Sequence, residues 1–398
     1  MKAILKNIKG DKVIWTVVFL LSIFSVLAVY SSTGTLAYRK HAGNTEYYLL
    51  KHLGILLLGL GMMFISHNVR YIYYGRIAQL ALYVSVPLLT YTLFFGTSLN
   101  EASRWYTLPF INITFQPSDL AKLALIIYLA RLLAKKQDVV HDFKKGFLTL
   151  LVPVLIITGL ILPANFSSAA LIFATCLVLM FIGRVKVKFL LLFTLSGVVG
   201  VLLFILVAGN IPKISGRFGT WQNRIENFSS GDSESNYQVE QAKIAIATGG
   251  ITGKMPGNST QKNFLPHPYS DFIFAIIIEE YGLIGGTILV LLYLILLFRA
   301  VKIVIKSPRN FAAFLTFGVA FSLVFQAMAN MMVAVNLLPV TGQTLPLVSM
   351  GGTSIWFTSI AIGIILSVSC EVELAESAAA EKKNNKQEPE KTVENVIA

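Results

Sequence analysis

Ten stretches of apolar sequence, each about long enough for a helix to cross a hydrocarbon core of about 30 Å, leave this chain few ways to fold. They centre on residues 13–31, 50–66, 77–95, 119–134, 147–163, 167–183, 189–209, 272–298, 310–335 and 353–369. In hydrocarbon every backbone N–H and C=O must be paired inside the protein, so such runs fold as helices and pack as a bundle. The expected class is an all-α polytopic membrane protein with about ten transmembrane helices. Of 398 residues 13% are charged, about half the share of a soluble domain, and a soluble globular enzyme does not fit. The formal net charge of +13 would suggest nucleic acid in a soluble chain. Here Lys and Arg sit between apolar runs, so no nucleic-acid partner is expected. Cys176 and Cys370 imply neither a disulfide framework nor a cysteine-based metal site.

The basic linkers give the sides. Arg70 and Arg76, then Lys135, Lys136, Lys144 and Lys145, then Arg184, Lys186 and Lys188, then Arg299, Lys302, Lys306 and Arg309 alternate with linkers poorer in base, and read as cytoplasmic. Arg39 and Lys40 are the exception. An even number of spans puts both termini in the cytoplasm. The run from Val13 to Tyr30, behind Lys2, Lys6, Lys9 and Lys12, is too long for a signal peptide and is followed by no clear cleavage site, so it reads as a retained span. Residues 1–370 form the membrane domain. Residues 371–398, rich in Glu, Lys and Asn without an aromatic residue, are expected to be disordered. The outer loop 210–270 is too long for a simple connector. Ser235 and Gln238 as a capping box, an apolar stripe of Tyr237, Ile244 and Ala245, and a stop at Gly249 and Gly250 predict a surface helix over Asn236–Thr248.

Three groups of residues depart from membrane filler. Arg104 and Trp105 precede Gln116, Pro117, Ser118, Asp119 and Lys122. Pro, Ser and Asp at a span start are ordinary helix chemistry. Lys122, a turn inside, needs a partner or water, and Asp119 could be that partner. The run Gly249–Gly286 holds glycines, Ser259, Gln261 and Lys262, which suit a phosphate nest or simply a flexible connector. Asp271 opens a span and could be only a cap. Glu279 and Glu280 lie about 12 Å further along that helix, where carboxylates serve function or a buried pair. By rotation Glu279 could share a cavity with Asp271, leaving Glu280 to bond a neighbouring helix. Gln326 and Asn330 share a helix face, as interhelical glue does. The Pro- and Gly-dense segment Leu337–Ser354 predicts buried non-helical backbone.

In order and side these motifs resemble the SEDS family (shape, elongation, division and sporulation) of bacterial membrane proteins, over nearly the whole chain before the tail. The matching residues are Arg104-Trp105, the Gln116–Asp119 motif with Lys122, Tyr237-Gln238, Ser259 to Lys262, Asp271 to Ala275 with Glu279 and Glu280, and Leu338 to Gly342. The resemblance implies a glycosyltransferase that polymerises peptidoglycan from lipid II on the outer face of the cytoplasmic membrane. It implies partnership with a class B penicillin-binding protein transpeptidase and other divisome membrane proteins, and Asp271 as the catalytic residue. Tyr30-Ser31-Ser32 and the short chain favour the division branch (FtsW-like) and the septum over the elongation branch (RodA-like). Asp119 stands where the family has Glu. Met255 and Pro256 interrupt its glycine pattern, and Pro163-Ala164-Asn165 lacks a family carboxylate, which weakens any cation site that needs it.

On this reading Asp271 is the general base, Arg104, Trp105, Lys122, Ser259, Gln261 and Lys262 bind substrate, and Asp119, Glu279, Glu280, Gln326 and Asn330 support them. Mg²⁺ or another divalent cation is expected to help with the diphosphate, and no organic cofactor is. The rivals are a lipid II flippase, which would move lipid II without elongating it, and a scaffold, which would tolerate loss of Asp271. Polar motifs gathered on one outer face, rather than along a path through the membrane, favour the enzyme.

Overall fold

Each apolar run folds as a helix in the computed structural model, which describes residues 9–41, 44–95, 97–99, 102–107, 114–208 and 237–397. In chain order the helices are α1 (Lys12–Ser32), α2 (Gly34–His41), α3 (Thr45–Asn68), α4 (Tyr71–Phe95), α5 (Pro117–Lys135), α6 (Leu148–Ile161), α7 (Phe166–Ile182), α8 (Val187–Ala208), α9 (Tyr237–Gly249), α10 (Ile273–Lys306), α11 (Asn310–Ala334) and α12 (Thr353–Ile397). Seven helical segments among the described residues are long and apolar enough to cross a membrane, and two shorter apolar helices lie at Phe166–Ile182 and Val187–Leu203. The remaining run, α5, carries Asp119, Lys122, Arg131 and Lys135.

One addition to the expected helical bundle lies between α4 and α5. Strands β1 (Thr97–Leu99), β2 (Ala102–Thr107) and β3 (Thr114–Phe115) form a small antiparallel sheet in the order β1-β2-β3. Thr97 faces Trp105, and Tyr106 faces Phe115. The Thr, Tyr, Trp and Phe content of this loop suits paired strands.

The bundle is organised around α10 and α12. Helix α10 packs against α1, α9 and α11, and α12 against α3; α5 lies between α4 and α11. At one end Asp11 caps α1 through Val13 and Ile14 and takes Arg299 of α10 at 2.5 and 2.7 Å, which ties the first span to the eighth. The backbone of α12 continues as helix to Ile397, through the tail for which composition predicts disorder. That tail's Ala, Glu and Lys are also good helix formers.

Helix α9 forms within one residue of its expected bounds, but its buried face agrees with the expected stripe only at Ala245. Val239, Ala242, Ala245 and Gly249 are buried, while Tyr237 and Ile244 are exposed. The expected stripe followed the largest apolar residues. The interface with α10 instead selects small ones, because the two backbones come close: a Cβ on Gly249 would lie 2.2 Å from the Ile278 carbonyl oxygen. Ser235 lies outside the described residues.

Candidate active site

The segment 335–352 between α11 and α12 is non-helical, as its Pro and Gly density predicts, and its second half, 343–351, is largely buried. Buried backbone off a helix must find its hydrogen bonds elsewhere. Side chains of the surrounding helices supply them. Asn330 Nδ2 donates to the Gln343 carbonyl at 2.7 Å, and Gln326 Nε2 to the Thr344 carbonyl at 2.9 Å. The Tyr293 hydroxyl donates to the Pro346 carbonyl at 2.5 Å, and Ser25 Oγ to the Val348 carbonyl at 2.9 Å. Because that Ser25 proton is committed, His52 Nε2, 2.8 Å away, is the donor to Ser25.

This braced segment seats Asp271. Its amide and hydroxyl groups hold the chain just before α10: Met350 N donates to the Tyr269 carbonyl at 2.9 Å, and Ser349 Oγ to the Ser270 carbonyl at 2.6 Å. From α11, Asn330 Nδ2 also donates to the Asp271 carbonyl, at 2.9 Å. Asp271 is half-buried and accepts from Ser270 Oγ at 2.9 Å. It is not the cap of α10, a position held by Phe272 without a side-chain bond. A Cβ on Gly342, whose φ is +63°, would stand 3.6 Å from Asp271 Oδ2, so backbone closely approaches the carboxylate. Burial, then the Tyr48 hydroxyl and the Asp271 carboxylate, raise the Tyr269 phenol above its usual pKa.

One turn before Asn330 on the same helix face, Gln326 borders a cavity of about 50 Å³ that also touches Asp119, Lys122, Ser322, Ser354 and Thr358. Within it Lys122 Nζ pairs with Asp119 Oδ1 at 2.8 Å. The partner that an ammonium inside a span requires is therefore its own neighbour three residues away. Asp119 Oδ2 is buried without a hydrogen-bond partner. Gln326 and Asn330 thus do more than glue helices, since both bond the non-helical segment.

Glu279 and Glu280 do a different job. Both are fully buried. Glu279 collects Lys254 Nζ at 2.7 Å, Ser259 Oγ at 2.5 Å, Thr260 N and Oγ1 at 3.1 and 2.8 Å, and Gln261 N at 3.2 Å. Those bonds clamp the loop after α9 onto α10, and Glu279 is engaged there rather than in a cavity with Asp271. Glu280 accepts from Ser31 Oγ of α1 and from Ser259 N at 3.3 Å, so it does bond a neighbouring helix. The clamp exists because α10 is broken at Gly282, whose φ of +69° and ψ of −172° are non-helical. Leu283 N and Ile284 N donate to the Gly250 and Ile251 carbonyls at 2.9 and 3.3 Å, and Lys254 N to the Glu279 carbonyl at 2.9 Å. A Cβ on Gly253 would lie 2.2 Å from the Glu280 carbonyl oxygen. Gly249 and Gly253, which the pattern offered as part of a nest or a flexible connector, are contact glycines that let the loop enter the break.

Lys262 Nζ donates to the Gly257 carbonyl at 2.6 Å, within its own loop, and Gln261 is buried. Lys122 and Lys262 therefore belong to separate groups. Arg104 and Trp105 fall on β2, and their side chains lie outside the described ones. Among the described residues no three His, Cys, Asp or Glu side chains gather to hold a metal. Asn165, next to Ala164 at the position that lacks the family carboxylate, caps α7 by accepting from Ser168 N. Sequence reasoning missed Ser349, Tyr293 and Gly282; their partners lie far along the chain or look like ordinary membrane residues.

Residues 11–374 match the cell cycle protein family FtsW/RodA/SpoVE. The chain belongs to this family. It is 32% identical to the probable peptidoglycan glycosyltransferase FtsW of Geobacter sulfurreducens, over 91% of this chain and 96% of that one. It is also 32% identical to the stage V sporulation protein E of Bacillus subtilis, over 92% and 98%. Among solved structures, a chain from a peptidoglycan synthase complex that coordinates polymerization and crosslinking superposes with a TM-score of 0.66 at 25% identity, over 91% of this chain and 98% of that one. The rod shape determining protein RodA of Thermus thermophilus superposes with a TM-score of 0.62 at 25% identity, over 90% and 96%. The chain is a multi-span helical membrane protein of the SEDS type.

Proposed function

We propose that this chain is a peptidoglycan glycosyltransferase of the FtsW kind, polymerising lipid II at the outer face of the cytoplasmic membrane, with Asp271 as general base. Asp271 takes the proton of the acceptor sugar's 4-hydroxyl as that oxygen attacks the anomeric carbon of the second lipid-linked sugar. The new glycosidic bond forms with inversion, and undecaprenyl diphosphate leaves with the bonding pair. Base assistance of this kind contributes about 10² to 10⁴ in rate. The observation that carries the reading is the seat of Asp271: three successive carbonyls, of Tyr269, Ser270 and Asp271, are held from the neighbouring segment and α11. The carboxylate stays half-buried and is not used as a helix cap. A positioned base needs that rigidity.

Lys122, Lys262 and Arg104, with Trp105, Ser259 and Gln261, are assigned to the lipid-linked substrates, whose diphosphate gains negative charge as it departs. A divalent cation would share that task only by using substrate oxygens together with one or two carboxylates, as Mg²⁺ commonly does. Among the described residues no three His, Cys, Asp or Glu side chains gather into a metal cage. The transpeptidase partner is a class B penicillin-binding protein, working with other divisome membrane proteins at the septum, and both termini lie in the cytoplasm. Purified chain with Asp271→Asn should fold and bind its partner yet polymerise lipid II about 10²- to 10⁴-fold more slowly; polymerisation at the parental rate would overturn the assignment. The flippase reading gives the opposite pair of results, labelled lipid II moving across liposomes without elongation.

A further inference from the structure

We infer that Ser349 is a positioning residue for Asp271, acting through the carbonyl of Ser270; this rests on the reading of Asp271 as the base. The Ser349 side chain is 1% exposed, and its hydroxyl makes two bonds. Its one proton goes to the Ser270 carbonyl at 2.6 Å, so the oxygen must accept from Leu345 N, 2.8 Å away. The hydroxyl is thus fixed in direction and joins the turn at 345–349 to the residue before Asp271, 79 positions earlier in the chain. Asn330 holds the next carbonyl from the opposite element, and Met350 N the previous one.

Of these three bonds only that of Ser349 is made by a side chain of the segment itself, and that segment is anchored in turn. Ser25 Oγ holds the Val348 carbonyl and Tyr293 the Pro346 carbonyl, on either side of Leu347, whose φ of +63° is unusual for a branched residue. The turn is therefore a stiff support rather than a passive neighbour. A carboxylate four bonds beyond a released carbonyl carbon loses its aim while keeping its chemistry. A displacement of about 1 Å costs on the order of 10²-fold in a positioned reaction.

The test is glycan synthesis from lipid II by the full chain with its transpeptidase partner, measuring kcat, apparent KM and thermal stability. Ser349→Ala should lower kcat about 10- to 100-fold with KM within about twofold, and Ser349→Thr, which keeps the hydroxyl, should restore most of it. In an Asp271→Glu background, where the carboxylate is already displaced, the cost of Ser349→Ala should shrink at least about threefold, because both changes act through one group. If Ser349→Ala does not fold, Ser349→Cys, a weaker donor of similar shape, carries the same expectation. Parental turnover in Ser349→Ala, additive losses with Asp271→Glu, a matching rise in KM, or no rescue by Thr would each overturn the inference. Parental turnover in Asp271→Asn would instead remove the base assignment itself, so the two failures are distinguishable.

Discussion

The two ends of the segment Asp271–Glu280 use the same functional group in opposite ways. Glu279 is fully buried and takes five hydrogen bonds, one from an ammonium, all from the loop it anchors. Asp271 is half-buried; what is held firmly is its backbone, on three consecutive carbonyls. A carboxylate saturated by donors is poorly placed to take a proton and well placed to fix a loop. One whose main chain is clamped while the residue stays half-buried, with the Gly342 backbone beside its carboxylate, is placed to act. Position in the membrane alone does not separate the two roles, since both sit on or beside α10; the hydrogen-bond inventory does.

Exchanging charge for amide at each end tests this contrast most sharply. Asp271→Asn should cut polymerisation by about 10² to 10⁴ with melting temperature unchanged. Glu279→Gln should do the reverse, lowering stability by about 3 kcal/mol, near the low end for breaking a buried pair, because Lys254 keeps 30% exposure and can rehydrate. Its turnover, measured well below the new melting temperature, should fall much less than that of Asp271→Asn. Thermal unfolding in nanodiscs and lipid II polymerisation on the same samples read both quantities. Equal stability losses at the two sites would erase the distinction.

The two regions also differ in how far they could be read in advance. The spans were legible because about 20 apolar residues in a row have one stable solution in hydrocarbon. The same logic announced the non-helical segment after α11, where Pro339, Gly342, Pro346, Gly351 and Gly352 cluster. Glu280 with its helix partner and the Asp119–Lys122 pair were accessible because a charge inside a span must be explained, whereas Asp271 read locally as a cap and only the family resemblance singled it out. The break at Gly282 was not accessible, since one glycine in an apolar run reads as tolerated filler and its cause is a loop 30 residues upstream. Ser349 was silent for a similar reason: a serine in a Gly-rich stretch has no local signature, and its partner is fixed only by the packed bundle. On α9 the expected stripe was right at Ala245 and wrong at Tyr237 and Ile244, because close backbone contact favours Ala and Gly over the large residues that dominate a hydrophobic pattern.

A smaller effect tests the support beneath Asp271. Tyr293 is 1% exposed and donates its hydroxyl to the Pro346 carbonyl. Tyr293→Phe removes the donor, keeps the ring and leaves a buried acceptor unpaired, at about 1–3 kcal/mol. If the segment is the platform for Asp271, this variant should lose some turnover as well as stability. If it loses stability alone, Pro346 is a structural contact outside the catalytic support.

The smallest effect is expected at Lys262, and there the contrast between clamping and acting becomes a test of a single lysine. Lys254, in the same loop, spends its ammonium on Glu279, so it belongs with the clamp. Lys262 Nζ donates to the Gly257 carbonyl through an exposed hydrogen bond. Lys262→Ala should therefore change stability within about 0.5 kcal/mol, the range of ordinary surface substitutions. A lysine so placed keeps its charge near the loop surface, where a departing diphosphate could use it. The expected signature is weakened lipid II turnover that grows more severe as ionic strength falls, because screening masks an exposed charge at high salt and not at low salt. Turnover and lipid II affinity equal to the parent at low salt would place Lys262 with the loop's solvated surface and leave the diphosphate to Lys122 and Arg104.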